Sequence, residues 1–453
     1  MNYTDLNRLG GIGANSSLYE VGSFRFVVDA GIHPKETGKA SLPMLDRLNG
    51  EAPIDFVILT HCHLDHLGAL PLLLKKFPDV PVFMSIPTRM LAGRMLRNSV
   101  NVMKRQGREQ SIPEYPFFSF AEVERIEHQY EALRFDTPKV LRKGKEKMEI
   151  VLYPSGHVVG AASVLVQHDD ASIFITGDIL FDDQLTLPGA WIPEMQVDIV
   201  VTETTRGCTQ RAKGRSREEE CARLYASMTE TLKGGGSCLL PVFALGRLQE
   251  IMAMLHLAMK RGELPKSPVF SGGLGLDLVD YFDDIAKDTG LVRFRRRILN
   301  ELKVGEPRYP KILGQGAMPQ GIYVLSSGMM VEYTPSYQAA ATLVGSERNR
   351  VHFVGYCDPD TPGGKLRAAK PGDPISFDAY DLSVTLRSPV EVYDLSGHAD
   401  RDELLHLVQG MDPEAVILTH GDAEARVWFK ERLGANDATC RVLDPEPGKT
   451  YEV

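Results

Sequence analysis

The sequence predicts an α/β protein in which one α/β domain is inserted into another. Three observations carry that expectation. Short apolar runs at 55–60, 149–153, 172–175 and 197–202 read as buried strands, and each leads into a residue able to bind a metal. Strand-like and helix-like stretches alternate along the chain. From about 208 to 383 the pattern changes to longer helices between strands of a parallel sheet, and short strands leading to histidines then return. The domains are placed accordingly: 1–207 and 384–453 form one body, and 208–383 is inserted.

Taken in order, Gly10-Gly11-Ile12-Gly13 is a turn; it lacks the preceding strand and the last glycine of a dinucleotide loop. Residues 17–20 and 24–28 then pair as a hairpin across Val21-Gly22-Ser23. The run 55–60 delivers His61-Cys62-His63-Leu64-Asp65-His66. A short apolar helix (68–76), a strand (80–84) and a helical stretch (86–131), expected as an arm over the site, follow. Strands 149–153, 172–175 and 197–202 lead to His157, Asp178 and Glu203. Ser216-Arg217-Glu218-Glu219 is a capping box opening a helix to about 232, where Gly234-Gly235-Gly236 breaks it. The insertion continues with a strand (237–241), a helix (248–260), a helix after Gly275 and strands at 321–325 and 351–354. Strands at 391–393 and 415–418 lead to His398 and His420.

The 453 residues suffice for two to three domains, and 43% apolar content fills their cores. No run is long and apolar enough to span a membrane, and the first residues lack a secretory signal, so no membrane partner and a cytoplasmic location are expected. The six cysteines are scattered and read as reduced thiols. A net charge of −9 argues against coating duplex nucleic acid through a broad basic face. A local basic channel stays open, and basic runs at Lys104, Arg105 and Arg108, at Arg211, Lys213, Arg215 and Arg217, and at Arg293, Arg295, Arg296 and Arg297 read either as its candidates or, more simply, as solvated faces.

Three imidazoles and a carboxylate within six residues suit two neighbouring ions. Nitrogen with carboxylate oxygen favours zinc over calcium or magnesium. Two ions need roughly six ligands and a bridging carboxylate. The strand ends supply them: His61, His63 and His157 for one, Asp65, His66 and His420 for the other, and Asp178 between them. The cofactor expected is two Zn2+ per chain. Cys62, flanked by two ligands, is expected to point away.

The set of Asp29, the His-x-His-x-Asp-His run, His157 and Asp178 resembles the metallo-β-lactamase fold. Glu203, His398 and His420, with the insertion between them, resemble the extra motifs of the β-CASP nucleases, in a compact bacterial or archaeal type similar to the cleavage and polyadenylation specificity factor ribonuclease. Further similar stretches are Glu203-Thr204-Thr205, Pro241-Val242-Phe243-Ala244-Leu245-Gly246-Arg247, Ser326-Ser327-Gly328-Met329 and Ser396-Gly397-His398-Ala399-Asp400. The resemblance implies a four-layer αβ/βα sandwich with an inserted β-CASP domain and an active site in the cleft between them. It implies a phosphodiester hydrolase, a ribonuclease acting on single-stranded RNA through a hydroxide held by two zinc ions. Asp65, Glu203 and His398 form the catalytic set, with His398, oriented by Glu203, as proton donor to the leaving oxygen. Asp29 orients a ligand histidine. Ser326, Ser327 and Gly328 read either as a phosphate cradle or as a tight turn, and Arg247 either as a substrate contact or as an ordinary helix-start arginine.

Departures from the family pattern bear on substrate rather than on metal. Arg206 stands where tyrosine is common, Glu332 and Tyr333 where small residues are frequent, Lys365 where arginine is expected and Asp422 where glutamate is. DNA, short nucleotides and other small phosphodiesters are the alternative substrates. The chain ends soon after the His420 motif, so the additional C-terminal domain of the ribonuclease J branch is not expected. A homodimer is the base-rate expectation.

Overall fold

The computed structural model describes residues 1–453 apart from 50–52, 170, 211–214, 314–315 and 437–439, and of 435 and 436 it describes the backbone only. Arg211 and Lys213 of the second basic run therefore lie outside the described residues. The chain divides into two compact units. The first comprises Met1–Asp183, Gly189–Gln210 and His398–Val453; the second comprises Gln184–Pro188 and Arg211–Gly397.

The first unit holds two seven-stranded sheets. The hairpin Ser17–Val21 and Phe24–Val28 forms as the alternation predicts. From it the first sheet grows outward in parallel through Phe56–Ile58, Val82–Ser85 and Tyr130–Leu133. The other edge takes Asn2–Asp5 and Thr450–Glu452, so the two ends of the chain share one sheet. In the second sheet Ala171–Ile175, Ile199–Glu203 and Ala415–Thr419 run parallel, side by side. That common direction brings the residues after these strands to one edge.

The sheets pack face to face over an apolar core. Tyr3, Tyr19, Phe26, Phe56 and Phe83 from neighbouring strands meet Ile150, Leu152, Val164, Val166, Ile173, Val201 and Ile417 of the other sheet. Tyr19, Phe26 and Phe56 stack in succession, with centroids 5.1 and 4.7 Å apart, a geometry that adds to the area they bury. Helices Arg401–Met411 and Ala423–Asn436 cover the outer face of the second sheet through Leu404, Val408, Met411, Phe429 and Leu433. Helix Ile86–Glu109 packs on the outer face of the first, against Val82–Ser85 and Tyr130–Leu133. This is the four-layer sandwich.

Two local expectations change. The helical stretch 86–131 ends at Glu109, because Pro113 and Pro116 break the pattern; a short helix Phe120–Ile126 and the strand Tyr130–Leu133 follow. The long helix is an outer layer of the sandwich and also packs against the short helix Leu64–Leu67. The hairpin strands Lys139–Lys143 and Ala162–His168, unread in the sequence, flank Glu146–Pro154.

The second unit is built on a five-stranded parallel sheet, in the order Val269–Phe270, Ile322–Leu325, Cys238–Pro241, Arg350–Phe353, Val390–Val392. The strand expected at 391–393 thus pairs with Arg350–Phe353 here and not in the sandwich. Ser216 caps helix Arg217–Lys233 through the expected reciprocal bonds with Glu219.

Candidate metal centre

Short backbone excursions after the strands build the centre. Asp29, at a φ of 61°, follows Phe24–Val28, and His420, at 45°, follows Ala415–Thr419. Such left-handed positions are costly for these residues and commonly accompany functional sites. His61 and His63 precede the one-turn helix Leu64–Leu67, which carries Asp65 and His66.

The donor atoms gather in sets. His61, His63, His157 and Asp178 form one, and Asp65, His66 and His420 another; within each set one donor atom per residue lies within 4.8 Å of the others. Asp178 Oδ2 is 3.6 Å from His61 Nε2, 3.5 Å from His157 Nε2 and 3.5 Å from His66 Nε2, while its Oδ1 is 3.2 Å from His420 Nδ1. It therefore touches members of both sets. Asp65 Oδ2 stands 3.3 Å from His420 Nε2 and 3.8 Å from His66 Nε2. A third grouping joins Asp178 and His420 to Glu203 and His398.

These donors fit zinc. Nitrogen and oxygen atoms tetrahedrally disposed around an ion at about 2.1 Å stand roughly 3.4 Å apart. Several of the separations above match that value and are too long for strong hydrogen bonds. His61 Nε2 is buried without a hydrogen-bond partner among the described residues, an expensive arrangement unless a ligand supplies one. The donor chemistry, imidazole with carboxylate, is that of zinc sites.

Charge coupling among the donors is strong. Burial, reinforced by His66, pushes His61 well below the usual imidazole range. Burial also works against charge on His66, but Asp178, Asp29 and Asp65 raise it well above that range. For Asp178, desolvation favours the neutral acid, yet His420 and His66 hold the carboxyl well below its ordinary value. Asp65 shifts down for the same reason, with His66 and His420 outweighing desolvation. Imidazole and carboxylate charges thus act strongly on one another around Asp178.

A supporting layer surrounds the donors. Asp29 Oδ2 accepts from His66 Nδ1 at 2.7 Å and from Thr60 Oγ1 at 2.8 Å, and its Oδ1 accepts from Thr60 N at 2.8 Å. Asp29 therefore touches a ligand candidate without joining a donor set. His398 Nδ1 lies 2.8 Å from Glu203 Oε2, and Glu203 Oε1 accepts from Ile179 N at 2.7 Å. Burial opposes charge on His398, but Glu203 raises it. Cys62 Sγ points away, 3.2 Å from Thr88 O.

Some contacts went unread in the sequence. Asn15 Nδ2 donates to Asp65 O at 3.2 Å; Thr60 Oγ1 is 3.1 Å from His61 Nδ1; Thr205 Oγ1 is 2.9 Å from His420 Nδ1. The two threonines adjoin or lie within motif runs, the only signal they offer. Arg206 Nη1 reaches His398 O at 3.4 Å, giving that departure a structural place.

Arg247, Ser326, Ser327 and Gly328 belong to the second unit and join no donor set. The serines follow the strand Ile322–Leu325 in a turn, where Ser327 O accepts from Ser336 Oγ at 2.7 Å and Ser327 Oγ from Val331 N at 3.0 Å. Arg247 is the first residue of helix Arg247–Arg261 and is buried.

A zinc-competent cluster at the strand ends of such a sandwich defines a metal-dependent hydrolase of the metallo-β-lactamase superfamily. Residues 9–194 match the superfamily model, 248–366 the Beta-Casp domain, and 383–443 the Zn-dependent metallo-hydrolase RNA specificity domain. The chain thus carries the metallo-β-lactamase, Beta-Casp and RNA specificity domains in one polypeptide.

Among similar proteins, Integrator complex subunit 11 of Danio rerio is 27% identical, over 98% of this chain and 72% of its own length. Cleavage and polyadenylation specificity factor subunit 3 of Dictyostelium discoideum is 26% identical, over 96% of this chain and 55% of its own. Endoribonuclease YSH1 of Gibberella zeae is 26% identical, over 94% and 54%. The chain thus spans between about half and three quarters of these relatives. A crystal structure of a protein of unknown function from Enterococcus faecalis V583 covers 99% of both chains with a TM-score of 0.51 and 13% identity, a likeness of fold.

Proposed function

We propose that the protein is a ribonuclease that hydrolyses phosphodiester bonds of single-stranded RNA with two zinc ions per chain. The carrying observation is the meeting of two donor sets at Asp178 beside the Glu203–His398 pair. His61, His63, His157 and Asp178 would hold one ion, and Asp65, His66, His420 and Asp178 the other. Bound zinc lowers the pKa of water and offsets charge on phosphate oxygens.

The chain's own residues do the rest. Asp29 accepts the Nδ1 proton of His66, which sets its tautomer and leaves Nε2 as the ligand atom. Asp65, near His420 and His66, helps to set the geometry in which water meets phosphorus. Glu203 holds His398 by Nδ1, so Nε2 is the atom that delivers a proton to the leaving oxygen. Ser326, Ser327, Gly328 and Arg247 are the proposed substrate contacts.

The test incubates zinc-loaded protein with matched single-stranded RNA and DNA labelled at either end, beside His63→Ala. Cleavage of RNA that vanishes in the variant is expected, and the label pattern separates internal from terminal cutting. Hydrolysis of a dinucleotide or simple phosphodiester with both polymers intact would replace this reading by a small-molecule phosphodiesterase.

A further inference from the structure

Two arginines in the second unit are buried with too few partners. Arg217 opens helix Arg217–Lys233 and Arg247 opens helix Arg247–Arg261, and they are 7% and 8% exposed. Arg217 Nη1 donates to Ser396 O at 3.3 Å, but its Nη2 lies 3.7 Å from Glu250 Oε1 and has no hydrogen-bond partner among the described residues. Arg247 Nη1 is buried and likewise unpartnered among them.

Glu250, the acid beside them, is already engaged. Its Oε1 accepts from Leu185 N at 2.9 Å, and its Oε2 from Thr186 N at 2.9 Å and Thr186 Oγ1 at 2.8 Å. Two guanidinium groups against one carboxylate leave an excess positive charge. A buried charge without a partner is among the costliest groups in a protein. Position at a helix start adds to the cost, because the helix dipole is positive there. Burial, followed by the neighbouring Arg217, pulls the Arg247 guanidinium down to about 10, so it stays charged at neutral pH.

Guanidinium groups with open N–H donors and excess positive charge match an oxyanion, and phosphate above all, since it offers several oxygens and up to two charges. We propose that Arg247 and Arg217 form an anion site in the second unit that takes one phosphate group, from an RNA strand or from free inorganic phosphate. The RNA source rests on the ribonuclease reading; the anion site does not.

The experiment titrates inorganic phosphate into the full-length, zinc-loaded protein at constant ionic strength, comparing wild type with Arg247→Met, Arg247→Lys and Arg217→Met. Any phosphate taken by the metal centre is common to all. The expected result is one further saturable site in wild type, weakened at least about tenfold in Arg247→Met and less in Arg247→Lys and Arg217→Met. Arg247→Met, relieved of an uncompensated charge, should also melt at least as high as wild type in phosphate-free buffer. Equal binding in wild type and Arg247→Met, or a lower melting temperature of that variant without phosphate, overturns the proposal.

A short oligoribonucleotide, tested in the His63→Ala background, identifies the source. Binding weakened about tenfold or more by Arg247→Met assigns a strand phosphate, whereas unchanged RNA affinity beside lost phosphate binding assigns the free anion. RNA cleavage by wild type with no phosphate difference sinks the site and leaves the ribonuclease reading standing. Phosphate binding without RNA cleavage does the reverse.

Discussion

In the first unit Asp29, Asp65, Asp178 and Glu203 each lie against an imidazole, so buried acids and bases nearly offset one another. In the second unit the charges of Arg217 and Arg247 both act on Glu250, whose oxygens are taken by Leu185 and Thr186. The same rule governs both places: charge removed from water must be countered. Donors of both kinds in the sandwich call for cations bound by nitrogen and oxygen, and guanidinium groups with unpartnered N–H donors in the inserted unit call for an anion. The kind of ligand a buried site takes can thus be read from the groups its residues offer, nitrogen and carboxylate donors for a cation and guanidinium N–H groups short of acceptors for an anion.

The largest test of the cation half is Asp178→Asn, which weakens the group that touches both donor sets. RNA cleavage should fall by about a thousandfold or more, as when groups acting as a unit are broken. Retention of more than a tenth of wild-type turnover at saturating zinc would break the assignment.

Isolated groups sharpen the comparison, because a buried residue without an adequate counter-charge turns neutral instead of recruiting a ligand. Burial raises Asp5 to about 7, against the backbone bond from Asn7 that lowers it. The folded chain then binds this proton more tightly than the unfolded one, so the stability it brings is full below about pH 4 and lost as pH rises through 7. From pH 4 to 8 that loss is about 4 kcal/mol, and Asp5→Asn should remove it from the pH dependence of unfolding by denaturant.

His352 carries the opposite sign in the second unit. Burial lowers it to about 3, with Glu391 raising it only in part. The unfolded chain takes up this proton first, so stability is full above about pH 6.5 and falls as pH drops toward 3. Roughly 3 kcal/mol should be lost between pH 7 and 4.5, and His352→Leu should flatten that slope. A steepened acid limb in the variant would show that another group controls it.

The smallest effect concerns support of the centre. Asp29→Asn keeps the shape but weakens the acceptor for His66 Nδ1, and zinc affinity measured against a competing chelator should drop about 10- to 100-fold. Unchanged affinity would mean that Thr60 and the backbone suffice to hold the ring.

Much of the centre was legible in the sequence because its residues sit in short motifs behind apolar strands. His61, His63, Asp65 and His66 are contiguous, and His157, Asp178, Glu203 and His420 each follow a run whose burial demands a strand. Strand direction then carries such residues to one edge. The capping box at Ser216 was readable for a similar reason, since its bonds span only three residues.

Tertiary structure alone decided the rest. Which sheet Val390–Val392 joins depends on pairing with Arg350–Phe353, about forty residues away and unmarked in a short apolar run. Asn15, Thr60 and Thr205 gain their meaning from groups brought close by folding, since a threonine carries the same hydroxyl wherever it stands. The incompletely partnered guanidinium groups of Arg217 and Arg247 are a further case. In sequence each is a helix-start arginine, and only packing shows that Glu250 is engaged elsewhere and that water is shut out. Local pattern specifies which chemical groups stand at the strand ends, whereas burial and long-range pairing determine which of those groups are left to bind something else.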